Sequence, residues 1–163
     1  MMTRLEECMM HNFTPAELVD MGICPTCYDR QHGHCLYGDP TGRMLYENDL
    51  FECLLTGNPR APGHTIISTK EHYKDMMGLP DDLCREIYSF ARRTMVALKE
   101  VYGAESVYFC TMCDGPMNHF HVQLIPRYGY ERRGSRNFVK DRACYVEDCE
   151  KLLLMRKILN ANL

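Results

Sequence analysis

Polar and apolar residues alternate strictly from His119 to Leu124. A period of two is typical of a half-buried β-strand, because successive side chains of a strand point to opposite faces. One face would carry His119, His121 and Gln123. The other would carry Phe120, Val122 and Leu124. Pro126 lacks an N–H group and is expected to end this strand.

The rest of the chain contains four more strand patterns and two long helix patterns. With the alternating segment at 119–125, the predicted strands are residues 44–47, 50–55, 64–68, 106–112 and 119–125. A helix is predicted over 81–102, where apolar residues recur at steps of three and four: Cys84, Ile87, Ala91, Met95 and Leu98. Asp81 and Asp82 suit its N-terminus, and Gly103 suits its C-terminal cap.

Two further helices are predicted near the ends of the chain. Thr14, Pro15 and Glu17 form a capping-box pattern for a short helix that Gly22 would stop. A C-terminal helix is predicted over 145–159, with four residues facing inward: Val146, Cys149, Leu152 and Leu153. Strands clustered around one long helix favour an α+β fold with a five-stranded antiparallel sheet. At 163 residues, the chain is expected to form a single domain, 1–163.

Composition and charge narrow the class of protein. The net charge of −3 argues against general nucleic-acid binding. No segment approaches the roughly 20 apolar residues of a membrane span. One basic cluster stands out, and it is expected to be a solvated loop: Arg132, Arg133, Arg136, Lys140 and Arg142.

Ten cysteines are a high number for this length. Residues 1–10 have no continuous apolar run of the kind that an export signal contains. A reducing cytoplasm is therefore the expected location, where cysteines serve as core residues, metal ligands or redox groups. Cys24 and Cys27 have the spacing of a zinc-binding pair. Spacing leaves several sources open for the other two ligands: His32, His34 and Cys35; Cys110 and Cys113; or His72 and His119.

Two segments together resemble the histidine triad (HIT) superfamily. The first runs from Gly63-His64 to Lys70-Glu71-His72, and the second is His119-x-His121-x-Gln123-Leu-Ile-Pro-Arg127. The resemblance is to members with a CxxC zinc pair. It covers a core of about 24–129, leaving 130–163 as a C-terminal helical extension. It implies a HIT-like fold, a homodimer whose sheets meet side by side, and a nucleotide or dinucleotide substrate.

The resemblance also assigns roles to residues. It implies that His121 is the nucleophile that attacks a nucleotide α-phosphate, and that His64 contacts the substrate, although a structural role for His64 is equally compatible with its position. It further implies a structural zinc ion with four ligands: Cys24, Cys27, His72 and His119. A metal there would tie the N-terminal segment to the catalytic strand.

The chain departs from the family pattern in three places. The third triad histidine is Gln123, as in the galactose-1-phosphate uridylyltransferase and dinucleoside polyphosphate phosphorylase branches. The ribose-binding aspartate of relatives falls at Thr56, and the phosphate-contacting loop is shortened to 113–118. Asn58 and Asn118 are the candidate substitutes for these contacts.

The glutamine limits the chemistry that the site can perform. Gln123 can donate an amide N–H to phosphate but cannot act as a general acid, so leaving groups that depart unaided are favoured. The acceptor stays open between water, phosphate and a sugar phosphate, and so does the choice between hydrolase and nucleotidyltransferase or phosphorylase. The alternative function is a zinc-stabilised nucleotide-binding module without turnover.

Overall fold

The computed structural model describes residues 13–161. Within this range, five helices and five strands follow one another, with short 3₁₀ turns at Thr41–Arg43 and Met76–Gly78. The helices are α1 Pro15–Asp20, α2 Pro25–Gln31, α3 Asp81–Tyr102, α4 Arg136–Val139 and α5 Cys149–Asn160. The strands are β1 Met44–Glu47, β2 Phe51–Leu55, β3 Thr65–Thr69, β4 Ser106–Cys110 and β5 His121–Arg127. The expectation about an export signal concerns residues 1–10, which lie outside the described residues.

The five strands form one antiparallel sheet in the order β1-β2-β3-β5-β4. This confirms the predicted α+β class and the five-stranded HIT-like sheet. The β1–β2 turn is built by Asn48, whose side-chain oxygen accepts the backbone N–H groups of Leu50 and Phe51 at 2.9 and 2.8 Å. Within the described residues, no helix is both long and apolar enough to cross a membrane.

Helices α3 and α5 cover one face of the sheet and bury the larger of two apolar clusters among the described residues. The strands contribute Phe51, Cys53, Ile67, Val122 and Leu124, and Phe120 lies directly before β5. The helices contribute Ile87, Phe90, Ala91, Leu98, Leu152, Met155 and Leu159. The opposite face of the sheet carries the polar side chains of β5, so the fold separates its core from its candidate site.

The long helix α3 agrees with its predicted bounds. Ile87, Ala91 and Leu98 of the predicted stripe are buried, while Cys84 and Met95 lie at its margin. Gly103 caps the helix with a left-handed backbone, φ 69°. The neighbouring connection contains Gly63, also left-handed at φ 76°, where a Cβ would lie 3.0 Å from the Tyr102 ring. Glycine there lets β3 begin close against the last turn of α3.

The C-terminal helix begins four residues later than predicted, at Cys149. Asp148 caps it by accepting the Lys151 N–H, whereas the preceding residues run extended along the loop after β2. The helix therefore turns a different face inward, and Leu152 is the one residue of the predicted set that is buried. Val146 is 82% exposed, Leu153 is 62% exposed and Cys149 is also exposed.

Strand β5 also differs from its prediction at both ends. It begins at His121, because His119 leaves the ladder and turns toward the N-terminal segment. It continues through Pro126, which pairs with Val107 of β4. Beyond Leu124 the strand has a partner on one side only, and a proline is tolerated at such a position.

Candidate functional site

Four cysteine and histidine side chains from three separate segments converge at one end of the sheet. Cys24 caps the N-terminus of α2 and Cys27 lies in its first turn, while His72 follows β3 and His119 precedes β5. Their ligand atoms all lie within 4.8 Å of one another. Two thiols and two imidazoles are a donor set that zinc prefers in closed structural sites.

The histidine His119 has the tautomer that a metal ligand needs. Its Nε2–H donates to the Thr69 carbonyl at 2.7 Å, which leaves Nδ1 bare. That Nδ1 lies 3.6 Å from Cys24 Sγ and 3.3 Å from Cys27 Sγ, and His72 Nδ1 lies 3.5 Å from Cys27 Sγ. Burial lowers the pKa of His119 to about 4, which favours the neutral ring.

The other candidate ligands lie elsewhere. His34 bonds to the Asp29 carboxylate, and His32 stacks on Tyr28 with ring centroids 3.9 Å apart. Cys35 is exposed. Among the described residues, neither Cys110 nor Cys113 belongs to a group that could hold a metal. His72 and His119 are therefore the two residues that join Cys24 and Cys27 in the cluster, as the family resemblance implied.

A cleft of about 420 Å³ lies over the polar face of the sheet, beside the metal-type cluster. Its floor is formed by side chains of β2, β3 and β5: Glu52, Leu54, Ile66, Ser68 and His121. Thr56 and Asn58 lie on its rim, and Tyr37 belongs to the loop that covers it. A pocket of this size accommodates a nucleotide-sized ligand.

The covering loop is held by Asp29, which sequence reasoning missed. This carboxylate is only 4% exposed, and it accepts the backbone N–H groups of Leu36 and Tyr37 at 2.6 and 3.1 Å. The neighbouring Arg30 binds Glu52 at 2.8 Å and donates to the Thr69 carbonyl. No pattern in the sequence marked these residues, because their partners lie on a distant strand and an irregular loop.

The side chain of His121 is oriented by the chain itself. Its Nδ1–H donates to the carbonyl oxygen of His119 at 2.9 Å, so Nε2 is the bare nitrogen. The Gln123 amide nitrogen lies 3.4 Å from that Nε2. The His121 ring therefore presents a lone pair on the floor of the cleft. The Gln123 amide lies behind it, since Gln123 is buried and does not line the cleft.

His64 lies on the same face of the sheet as Gln123 but deeper. It is 1% exposed, and its Nδ1 accepts the Arg60 N–H at 3.0 Å. Burial is the main cause that lowers the pKa of His64 to about 4. The Gln123 side chain lies against the His64 ring, and its hydrogen bond partly offsets the lowering of the His64 pKa. His64 borders a second cavity of about 440 Å³ rather than the cleft.

The two predicted replacement asparagines occupy different positions. Asn58 lines the cleft, and its backbone N–H donates to the Thr56 hydroxyl at 3.3 Å. The Asn118 amide instead donates to the Lys74 carbonyl at 2.6 Å, and Asn118 is not among the residues that line the cleft. Of these two asparagines, Asn58 is therefore the one that lines the cleft.

Comparison with known proteins agrees with the fold and the cluster. The HIT domain model matches residues 39–130. An uncharacterized HIT-like protein of Methanocaldococcus jannaschii is 28% identical over 95 residues, which are 56% of this chain and 73% of that protein. The adenylylsulfatase HINT3 of Arabidopsis thaliana is 27% identical over 94 residues, which are 55% of this chain and 48% of that protein.

Solved structures with the same fold include two of particular interest. A zinc-bound histidine triad family protein from Mycobacterium smegmatis superposes with a TM-score of 0.59 at 20% identity, covering 85% of this chain and 94% of that one. The diadenosine triphosphate hydrolase of Plasmodium falciparum gives 0.57 at 14% identity, covering 77% and 82%.

The sheet, its polar row and the Cys₂His₂ cluster together define a histidine triad protein of the zinc type. The matched model covers more than half of the chain, and the chain belongs to the HIT domain family.

Proposed function

We propose that the protein cleaves nucleotides at the α-phosphate through a covalent nucleotidyl intermediate on His121. The observation that carries this proposal is the bare Nε2 of His121 on the cleft floor, with Nδ1–H held by the His119 carbonyl. A neutral imidazole fixed in this way is an activated nucleophile. The relatives named as an adenylylsulfatase and a diadenosine triphosphate hydrolase support the general class.

The first step forms a bond from Nε2 to the α-phosphorus while the bond from phosphorus to the leaving group breaks. The leaving group departs with the bonding electrons, and the ring gains positive charge that the His119 carbonyl stabilises. In the second step an acceptor oxygen attacks phosphorus, returns the electron pair to Nε2 and loses its proton to solvent. Gln123 and Ser68 supply donors to the phosphoryl oxygens. Water, phosphate and a sugar phosphate are the candidate acceptors, corresponding to a hydrolase, a phosphorylase and a transferase.

We propose that zinc occupies the Cys₂His₂ cluster. When bound, it would be closed by Cys24, Cys27, His72 and His119, and would supply a structural crosslink rather than a reactive position. The two thiols must stay reduced to bind metal, which supports the expected reducing cytoplasm.

We also propose that the chain acts as one domain and as a homodimer. Leu152, Met155 and Leu159 of the C-terminal extension share a core with Phe51 and Phe120 of the sheet, which supports a single domain. The outer strand β4 supports a side-by-side pairing of two sheets, because its free edge offers unpaired backbone groups. Light scattering after size-exclusion chromatography tests the dimer: a mass near 38 kDa, twice the 19.0 kDa chain, is expected.

Intact-mass measurement tests the proposed nucleotidyl intermediate on His121. The protein is mixed with dinucleoside polyphosphates, adenosine 5′-phosphosulfate and nucleotide sugars, then quenched rapidly. An added nucleoside monophosphate is expected on the wild type and absent from His121→Ala, with turnover reduced by more than about 1,000-fold. Tight nucleotide binding without an adduct or turnover would instead establish the alternative, a zinc-stabilised binding module.

A further inference from the structure

The segment that precedes α5 is bound along the loop that follows β2. Residues 140–148, which we name the strap, run extended there. Ala143 donates its N–H to the Pro59 carbonyl at 2.8 Å, and Tyr145 donates to Gly57 at 3.0 Å. The strap is therefore held against the loop that follows β2 by backbone hydrogen bonds. Its residues 140 and 142 belong to the basic cluster that was expected to be a solvated loop.

The strap brings two guanidinium groups together. Arg142 donates to the Asn58 carbonyl at 2.9 Å, and Arg60 donates to the Lys140 carbonyl. Within residues 13–161, no carboxylate lies within 4.0 Å of either guanidinium, whereas Lys140 pairs with Glu131. Burial is the larger cause that lowers the pKa of Arg142, and the positive charge of Arg60 is the smaller one. Two adjacent cations without a counterion attract an anion.

This arginine pair lies at the Gln123 end of the polar row, opposite the metal-type cluster. The backbone N–H of Arg60 donates to His64 Nδ1. Burial is the largest cause that lowers the pKa of His64, and the positive charges of Arg142 and Arg60 lower it further. Burial raises the pKa of the Cys110 thiol, and the positive charge of Arg60 partly opposes that rise. Cys110 of β4 is paired with Gln123 of β5 in the sheet. The His64 side chain in turn bonds to Gln123, and the Gln123 amide nitrogen lies 3.4 Å from His121 Nε2. A chain of contacts therefore joins the segment that carries Arg60 to the proposed nucleophile.

A second cavity of about 440 Å³ provides room for that group. It is bordered by Arg60, His64 and Tyr145, and by Ala143, the residue next to Arg142, whereas Arg142 itself does not line it. Two carboxylates, Glu147 and Asp148, also border the cavity, and Asp148 is paired with Lys151. The cavity shares Thr56 with the cleft. Two buried polar atoms from these bordering residues have no partner among the described residues: Arg60 Nε and Tyr145 Oη. Unsatisfied polar atoms at a cavity wall are the contacts that a polar ligand restores.

We propose that Arg60 and Arg142 form a subsite for an anionic leaving group, a phosphate or sulfate bonded to the nucleotide α-phosphate. This inference rests on the proposed nucleotidyl-histidine function. In this position the pair neutralises the charge that the departing oxyanion gains. No proton is needed, because such groups leave as anions, which suits a site with Gln123 in place of an acid.

Leaving groups of two shapes test the subsite. Adenosine 5′-phosphosulfate and ADP carry a tetrahedral oxyanion, whereas adenosine 5′-(p-nitrophenyl phosphate) expels a planar phenolate. The Arg60→Met/Arg142→Met double variant is expected to lose about 10- to 100-fold in kcat/KM on the oxyanion substrates and less than threefold on the phenyl ester. Arg132→Met/Arg136→Met removes the same charge from exposed positions and is expected to change neither.

Binding provides a readout that does not require turnover. His121→Ala is expected to bind ADP more tightly than AMP, and this preference is expected to disappear when Arg60 and Arg142 are also replaced by Met. Equal losses of kcat/KM on the oxyanion substrates and on the phenyl ester, or an unchanged ADP preference, would overturn the subsite. A wild type that forms no adduct, while the ADP preference still depends on the arginines, would overturn the proposed function alone.

Discussion

The Nδ1–H of His121 donates to the backbone carbonyl of His119 at 2.9 Å. The same His119 offers its side chain to the Cys₂His₂ cluster, with Nε2–H held by Thr69. One residue therefore links the cluster to His121, the proposed nucleophile, through its side chain on one side and its carbonyl on the other. The position of His121 thus depends on the residues that hold His119 in the cluster.

Loss of the metal is expected to reduce turnover. His72→Ala removes a ligand without touching the cleft, so zinc content should fall from about one per chain, and kcat should fall about 10- to 100-fold while KM changes less. Elemental analysis and steady-state kinetics check this. The control is His32→Ala, which lies outside the cluster. A zinc-free His72→Ala protein with normal kcat would show that the backbone link does not limit the reaction.

Replacing Gln123 by His is expected to widen the range of leaving groups. A histidine there can protonate an amine, so kcat/KM for nucleoside 5′-phosphoramidates should rise by about 100-fold. The p-nitrophenyl ester needs no proton and should change by less than threefold. Parallel assays of the wild type and Gln123→Asn provide the baseline. A uniform change on both substrates would argue against a missing general acid.

Acid is expected to destabilise the protein through His64. Its folded pKa is lowered to about 4 from 6.5, so between these values the unfolded chain binds a proton that the folded chain does not. Stability attributable to His64 is complete above pH 6.5 and is lost as pH falls toward 4, by up to about 3 kcal/mol. Urea unfolding of the zinc-loaded protein at several pH values measures this loss.

The matched variant for this pH experiment is His64→Gln. It cannot take up a proton, so its free energy of unfolding should depend less on pH over the same window, even if its stability at pH 7.5 is lower. Coincident pH slopes for the two proteins would assign the acid sensitivity to other groups.

Two alanine substitutions test which face of α5 packs against the core. Met155 is fully buried, so Met155→Ala should reduce the free energy of unfolding by about 2–5 kcal/mol. Leu153→Ala, 62% exposed, should change it by less than about 0.5 kcal/mol. Urea unfolding distinguishes them, and the opposite order would restore the helix phase that the sequence pattern predicted.

The sequence by itself determined the elements whose partners are local or periodic. The bounds of α3, the core face of β5 and the capping box at Thr14 follow from spacing along the chain, and family resemblance selected the four ligands of the cluster. Periodicity misplaced the start of α5, because the apolar pattern around Tyr145 does not reveal that the strap bonds to Gly57 and Pro59.

Tertiary structure alone decided the contacts between distant residues. The His119 carbonyl as acceptor for His121, the buried Asp29 under the covering loop and the pairing of Arg60 with Arg142 each depend on where irregular segments cross the sheet. Such segments have no period, and their hydrogen bonds can join residues far apart in the chain, such as Arg142 and Asn58, which are separated by 84 positions. A local pattern carries no information about a partner at that separation.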